Sequence, residues 1–104
     1  MKRYSVNITD KALNDIRDIK RHIKYKLRNP EAASLIVDGI LSSAETLEIF
    51  PEIYRVRRKD SDGRKLRFIP HGHYVIIYYV DDVRQIVEVL HVVYEKRNLE
   101  SLMH

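Results

Sequence analysis

Seven basic residues lie within residues 54–67, where only two acids accompany them. The set is Arg55, Arg57, Arg58, Lys59, Arg64, Lys65 and Arg67, against Asp60 and Asp62. Residues 29–54, in contrast, contain five acids and no Lys or Arg. Lys and Arg side chains bind phosphate oxygens and neutralise their charge. A small domain that separates its charge in this way is expected to meet a polyanion with its basic side.

Lys65 and Arg67 are two residues apart in an alternating segment, so their side chains should share one face of a strand. If Leu66 and Phe68 point toward the helices, the two cations lie on the open face of the sheet. The alternative is an ordinary solvated strand face without catalysis.

Proton transfer requires a different kind of side chain, and the last apolar segment offers His91 and Tyr94. A histidine titrates near neutral pH and suits general acid–base chemistry. His71 and His73 flank a turn, and His104 is terminal. For each of these residues the alternative is a structural role, as an imidazole with an ordinary hydrogen bond or as an aromatic ring at the core.

Metal and cofactor chemistry is not expected. His71 and His73 are close in sequence, but apart from the Asp81-Asp82 turn no carboxylate follows at the spacing of a metal site. The chain contains no Cys, which excludes disulfides, thiolate nucleophiles and Cys-based zinc sites. It also lacks a glycine-rich phosphate loop and a dinucleotide-binding fingerprint.

Length and composition indicate one globular domain spanning residues 1–104. The chain is 44% hydrophobic and carries a formal net charge of +4. No segment approaches the ~18 uninterrupted apolar residues of a membrane span, and no apolar stretch follows the basic N-terminus as in a secretory signal. We therefore expect a cytoplasmic protein.

The first half of the chain predicts one strand and two helices. Tyr4, Val6 and Ile8 alternate with polar residues, as in a half-buried strand. Thr9-Asp10 can cap a helix over residues 10–28, and Asn29-Pro30 can end it and begin a second helix over residues 30–50. Both helices carry an apolar stripe at steps of three and four residues.

The second half predicts the strands that cover these stripes. Candidate strands are Ile53–Arg57, Lys65–Ile69, Tyr74–Val80 and Ile86–Tyr94, separated by turn residues. Tyr74–Val80 is almost entirely β-branched or aromatic, which is typical of a central strand. The expected fold is α+β, with a two-helix hairpin on a mostly antiparallel sheet in the order β-α-α-β-β-β-β.

This order resembles the RelE/ParE family of type II toxin–antitoxin toxins over essentially the whole chain. The resemblance rests on Asn29-Pro30-Glu31-Ala32-Ala33 between the helices, Phe50-Pro51 at a helix end, the strand Tyr74-Val75-Ile76-Ile77-Tyr78, and the closing Val92-Val93-Tyr94-Glu95-Lys96-Arg97-Asn98-Leu99. In many relatives the closing segment looks like Val-Leu-Tyr-Gly-Arg-Arg-Asp-Trp, from which Glu95, Lys96, Asn98 and Leu99 depart. The resemblance implies a toxin that is neutralised by a cognate antitoxin.

RelE-like members cleave mRNA in the ribosomal A site, and this activity is the first expectation. In such a reaction the ribose 2′-OH attacks the adjacent phosphate, and cations stabilise the charge that develops. The resemblance assigns a catalytic role to Arg97, supported by Lys65 and Arg67, with Tyr94 or His91 in proton transfer. Arg55, Arg57, Arg58 and Lys96 would contact RNA. The Tyr that follows the closing Arg in RelE has Met103 near its register here.

Two alternatives remain open. ParE-like members poison DNA gyrase and cleave no RNA, and the missing C-terminal Tyr favours that activity. The chain could also be a non-toxic member that only binds its antitoxin. The expected partners are thus an antitoxin and either mRNA on the ribosome or gyrase.

Overall fold

Two helices and five strands follow one another in residues 3–95, the part of the chain that the computed structural model describes. Their bounds are β1 Ser5–Ile8, α1 Asp10–Arg21, a π-helix His22–Lys26, α2 Pro30–Glu45, a 3-10 helix Thr46–Glu48, β2 Val56–Lys59, β3 Lys65–His71, β4 Tyr74–Asp81 and β5 Ile86–Tyr94. None of these helices is long and apolar enough to cross a bilayer.

The strands form one sheet in the order β1-β5-β4-β3-β2. All neighbours are antiparallel except β1 and β5, which run parallel with Ser5 opposite Ile86 and Ile8 opposite Val89. β4 is the middle strand, which confirms the central position predicted for Tyr74–Val80. The α+β fold and the order of its elements are confirmed as well.

Both helices begin where their capping residues predict. The Thr9 hydroxyl oxygen accepts a hydrogen bond from Ala12 N at 3.2 Å, and the Asn29 side-chain oxygen accepts one from Ala32 N at 3.0 Å. These bonds satisfy backbone donors that have no partner inside the helix. Pro30 is the first residue of α2, where its missing N–H removes no helical bond.

The ends of four elements differ from the sequence prediction. The first helix widens into the π-helix after Arg21, and the second changes to a 3-10 turn at Thr46. β2 begins at Val56 rather than at residue 53, because residues 50–53 form a turn. β3 continues through Pro70, which is tolerated because β2 pairs only with Lys65–Arg67 and leaves Pro70 without a strand on that side.

Apolar side chains are buried on both faces of the sheet. The larger cluster joins the helices to the sheet through residues such as Ile16, Ile40 and Leu47 on the helices and Ile76 and Tyr78 on β4. A second cluster comprises Leu66, Val75, Ile77, Leu90 and Val93, with Phe68 and Tyr79 packed against it. None of its members within residues 3–95 belongs to a helix, and we call this side of the sheet the helix-distal face. Each large apolar side chain so buried contributes about 1.5–3 kcal/mol.

Candidate functional site

The basic residues of β2 lie on an edge of the sheet. Arg57, Arg58 and Lys59 are exposed, and among the strands of residues 3–95 β2 pairs with β3 alone. Charged residues on an edge strand discourage pairing with another chain, which is their ordinary structural role. They also give this edge a positive charge that an anionic partner could contact.

Two arginines reach over aromatic rings of the helix-distal face. The Arg57 guanidinium lies 5.3 Å from the centre of the Phe68 ring, and that of Arg64 lies 5.1 Å from the Tyr79 ring. Such cation–π contacts hold a guanidinium in place while its N–H groups remain able to bind. The helix-distal face thus combines an apolar floor with positively charged groups.

Arg64 is held by the turn that precedes it. The Asp60 carboxylate accepts hydrogen bonds from Arg64 N at 2.9 Å and from Arg64 Nε at 2.7 Å. Partial burial alone would raise the pKa of Asp60, but these bonds, together with one from Asp62 N, hold it below the usual 3.8. In the sequence Arg64 belongs to the basic segment, and the local signal that it folds back on Asp60 is the turn sequence Asp60-Ser61-Asp62-Gly63.

Lys65 and Arg67 occupy the face opposite to the expected one. Leu66 and Phe68 belong to the helix-distal cluster, so alternation directs Lys65 and Arg67 to the side of the sheet that carries the helices. Arg67 Nη1 donates to the carbonyl oxygens of Tyr54 at 2.6 Å and Glu52 at 3.5 Å. The prediction that this pair lies on the open face is wrong, and Arg67 fastens the chain segment before β2.

His91 lies on the helix-distal face, opposite Ile77 on β4. Its Nδ1 is buried and has no hydrogen-bond partner within residues 3–95. Burial is the main cause that lowers the pKa of His91 below 6.5; the positive charges of Lys11 and Arg64 lower it further, and Asp15 opposes them. The lowered pKa favours the neutral form of the imidazole.

Tyr94 lies on the side of the sheet that carries the helices. It is opposite Tyr74 across β4 and β5, and the two rings meet edge to face with centres 5.7 Å apart. His73 is a further neighbour, with its ring centre 6.2 Å from that of Tyr94. Tyr94 is separated from His91 by the thickness of the sheet, so the two proposed proton-transfer residues are not brought together.

The remaining predicted site residues are distributed as follows. Arg55 is exposed just before β2. Lys96 and Arg97 lie outside the described residues. Between residues 3 and 95 no three His, Asp or Glu side chains are grouped so that they could hold a metal ion.

A cleft of about 1000 Å³ is lined by α1, the π-helix and the start of α2 on one side, and by the start of β4 and the end of β5 on the other. Asp15, His22, Leu27, His73 and Tyr94 are among its lining residues. Inside it the Asp15 carboxylate accepts a hydrogen bond from Val92 N at 3.0 Å. This contact satisfies a backbone donor of β5 beyond the point where β1 ends, since β1 pairs only as far as Val89.

The model of one protein family, the ParE toxin of the type II toxin–antitoxin system parDE, matches residues 6–99. A comparison with curated protein sequences finds no match. Among solved structures, the chain is similar to one from the chromosomal ParDE system of P. aeruginosa, with a TM-score of 0.71, 20% identity, and coverage of 88% of this chain and 95% of that one.

Two RelE structures are also similar to the chain. One belongs to the archaeal RelE–RelB complex of Pyrococcus horikoshii, with a TM-score of 0.63, 19% identity, and coverage of 90% of this chain and 97% of that one. The other is a mutant of the E. coli toxin RelE in the free state, with a TM-score of 0.64, 15% identity, and coverage of 97% and 93%. At these identities the structural similarities establish the fold.

Proposed function

The chain belongs to the family of ParE toxins of type II toxin–antitoxin systems, and from that membership we propose that it arrests growth by binding DNA gyrase without cleaving RNA. A cognate antitoxin neutralises it. The protein acts in the cytoplasm, where gyrase and the nucleoid are found.

The observation that carries this proposal is the dispersal of the residues expected to cleave RNA. Lys65 and Arg67 lie on the helix side of the sheet, whereas His91 lies on the helix-distal face. Tyr94 is on the helix side, but it pairs with Tyr74, which lies four residues, or about 13 Å, along β4 from Tyr78, the partner of Arg67. A general base must be within about 2.6–3.2 Å of the proton that it removes, and the cations must surround the same phosphate. Residues on opposite faces of a sheet cannot act on one phosphate, so a protein-binding mode of action is favoured.

The composition of the helix-distal face also supports a protein partner. Its five core side chains are buried, but Phe68 and Tyr79 remain partly exposed, and Arg57 and Arg64 stack on their rings. Aromatic residues and arginines are enriched at the centres of protein–protein interfaces. We propose that the antitoxin covers this face and the adjoining β2 edge with an acid-rich segment, since opposite charge would steer it to Arg57 and Arg58.

Two measurements on the wild-type toxin test the proposal. After induction, primer extension on abundant messages should reveal no new cleavage sites, and the purified toxin should inhibit gyrase-catalysed supercoiling. Cleavage of mRNA together with unaffected supercoiling would reject gyrase as the target. Reversing the charges of Arg57 and Arg58 to Glu should weaken binding to a co-purified antitoxin, and unchanged binding would reject the proposed antitoxin surface.

One observation favours an mRNA endonuclease as a second candidate. The Nδ1 of His91 has no hydrogen-bond partner within residues 3–95, and His91 shares the helix-distal face with Arg64, which stacks on Tyr79. A proton acceptor and a guanidinium on one face are groups that phosphate-ester cleavage uses. In this candidate Arg97 stabilises the transition state and Lys96 contacts RNA.

Variants of Arg97 test this second candidate. Arg97→Ala should abolish both mRNA cleavage and growth arrest, and Arg97→Lys should restore only part of the activity because Lys lacks the planar fork that binds two oxygens. Wild-type cleavage by Arg97→Ala would remove Arg97 from the site.

A further inference from the structure

Phe50, Pro51, Glu52 and Ile53 form a tight turn between the 3-10 helix and β2. Ile53 N donates to the Phe50 carbonyl oxygen at 3.3 Å, and Pro51 occupies the second position, where its fixed φ is favourable. Phe50 and Ile53 are thus the two end residues of one turn. Their side chains are 58% and 62% exposed, so two large apolar groups are presented to solvent at one corner of the molecule.

Hydrogen bonds from the side chains of Tyr78 and Arg67 hold the backbone of this turn in place. Tyr78, which is fully buried, donates its hydroxyl to the Pro51 carbonyl oxygen at 2.8 Å. Arg67 donates to the carbonyl oxygens of Glu52 and Tyr54. Because this backbone is already ordered in the folded protein, binding a partner through its side chains costs less conformational entropy. Single exposed apolar residues are common on protein surfaces, but an exposed aromatic on a rigid turn is suited to anchoring a partner protein.

The charge around the turn indicates what kind of surface it meets. From Glu45 to Tyr54 the chain carries three acids, Glu45, Glu48 and Glu52, and no Lys or Arg. Arg67 reaches this segment, but its Nη1 is engaged by backbone carbonyl oxygens. The exposed Arg55 directly follows the segment. Such a segment repels nucleic acid, whose phosphates require cations. It complements a protein surface that is itself basic, and proteins that hold DNA carry such surfaces.

We infer that the Phe50–Ile53 turn is the surface that docks on the target, with Phe50 and Ile53 entering an apolar pocket on gyrase that is bordered by Lys or Arg side chains. This inference rests on the proposed function, since it takes gyrase as the occupant. It assigns the target and the antitoxin to different parts of the toxin: the turn to the target, and the helix-distal face to the antitoxin.

The test compares Phe50→Ser and Ile53→Ser with Val83→Ser in the full-length toxin. Val83 is 95% exposed in the turn between β4 and β5 and serves as a matched control for the loss of an exposed apolar side chain. Binding of labelled toxin to purified gyrase should weaken about tenfold or more in each turn variant and remain unchanged in Val83→Ser. Glu52→Lys should also weaken binding, more strongly at low salt than at high salt.

Thermal unfolding and antitoxin capture are measured on the same variants to establish that they are folded. If the turn variants bind gyrase as tightly as the wild type, the inference is wrong and the proposed function stands. If they still bind gyrase but lose the antitoxin, the turn belongs to the antitoxin surface and the inference is also wrong. If the wild-type toxin itself does not bind gyrase, the proposed function is rejected.

Discussion

Arg67 and Tyr78 are directly opposite each other on β3 and β4, and both donate hydrogen bonds to backbone carbonyl groups of residues 51–54. The guanidinium and the phenol therefore act together as a support for the segment that leads into β2. Burial, the largest effect, raises the pKa of Tyr78 to about 12, although the charge of Arg67 acts in the opposite direction. The phenol remains protonated, and able to donate, throughout the physiological range.

Tyr78→Phe should destabilise the protein by removing the donor to Pro51. The partly buried carbonyl oxygen would keep no partner from β4, and we expect the free energy of unfolding to fall by about 1 kcal/mol. Urea denaturation followed by circular dichroism measures this change. Tyr25→Phe is the matched control, since Tyr25 is 66% exposed, and an equal loss of stability in both variants would contradict the assigned role.

Asp15→Ala should destabilise the protein by removing the hydrogen bond that joins α1 to the end of β5. The carboxylate of Asp15 bonds Val92 N, and a buried donor left without an acceptor costs about 1–3 kcal/mol. Asp15→Asn should lose less, because an amide oxygen can still accept the bond. As a control, Asp18→Ala removes an exposed ion pair with Arg21 and should change the stability by less than about 0.5 kcal/mol. Similar losses for Asp15→Ala and Asp18→Ala would argue against the contact.

Gly39→Ala should be destabilising because the imidazole of His71 packs against the Gly39 backbone. An added Cβ would lie 2.4 Å from two atoms of that ring, so the ring would have to move. Overpacking typically costs about 1–3 kcal/mol, but Gly39 lies inside α2, where Ala is favoured over Gly by about 0.5–1 kcal/mol. We therefore expect a net loss of about 0.5–2 kcal/mol. His71→Ala in the Gly39→Ala background should recover part of it in a double-mutant cycle. Additive effects of the two substitutions would exclude this steric explanation.

Stability should fall on mild acidification because of His91. Its pKa is lowered in the folded protein, so the unfolded chain binds the proton more readily. The contribution of His91 to the free energy of unfolding is complete above pH 6.5 and declines as the pH falls below that value. It stops changing once the pH is below the folded-state pKa of His91. Urea midpoints measured from pH 8 to pH 5 should decline less in His91→Gln than in the wild type. The same decline in both proteins would show that another group is responsible.

The sequence predicted the elements whose signals are local. Thr9 and Asn29 are caps that act within one helical turn, and Tyr74–Val80 has the composition of a buried central strand. The face of β3 was predicted incorrectly because alternation separates Lys65 and Arg67 from Leu66 and Phe68 but does not reveal which set meets the helices. Here both faces of the sheet bury apolar side chains, so hydrophobicity alone cannot identify the helix side.

The hydrogen bonds of Arg67 could not be predicted from the sequence for a related reason. Its acceptors are backbone carbonyl oxygens, which every residue has and which leave no trace in the sequence. The π-helix also has no local signal, since residues 22–26 continue the apolar period of α1. The bond from Asp15 to Val92 joins residues 77 positions apart, and no pattern within a short window could predict it.

The parallel pairing of β1 with β5 has a consequence for synthesis of the protein. Ser5 on β1 is paired with Ile86 on β5. β1 therefore leaves the ribosome early but cannot pair within the sheet until β5 has been synthesised. Contacts between distant residues also slow folding. We therefore expect the nascent toxin to remain inactive until nearly the whole chain has emerged, which gives the cell that makes it an interval in which an antitoxin can already be present. Ribosome-bound chains that end near residue 85 should be cleaved readily by protease, whereas the released protein should resist it.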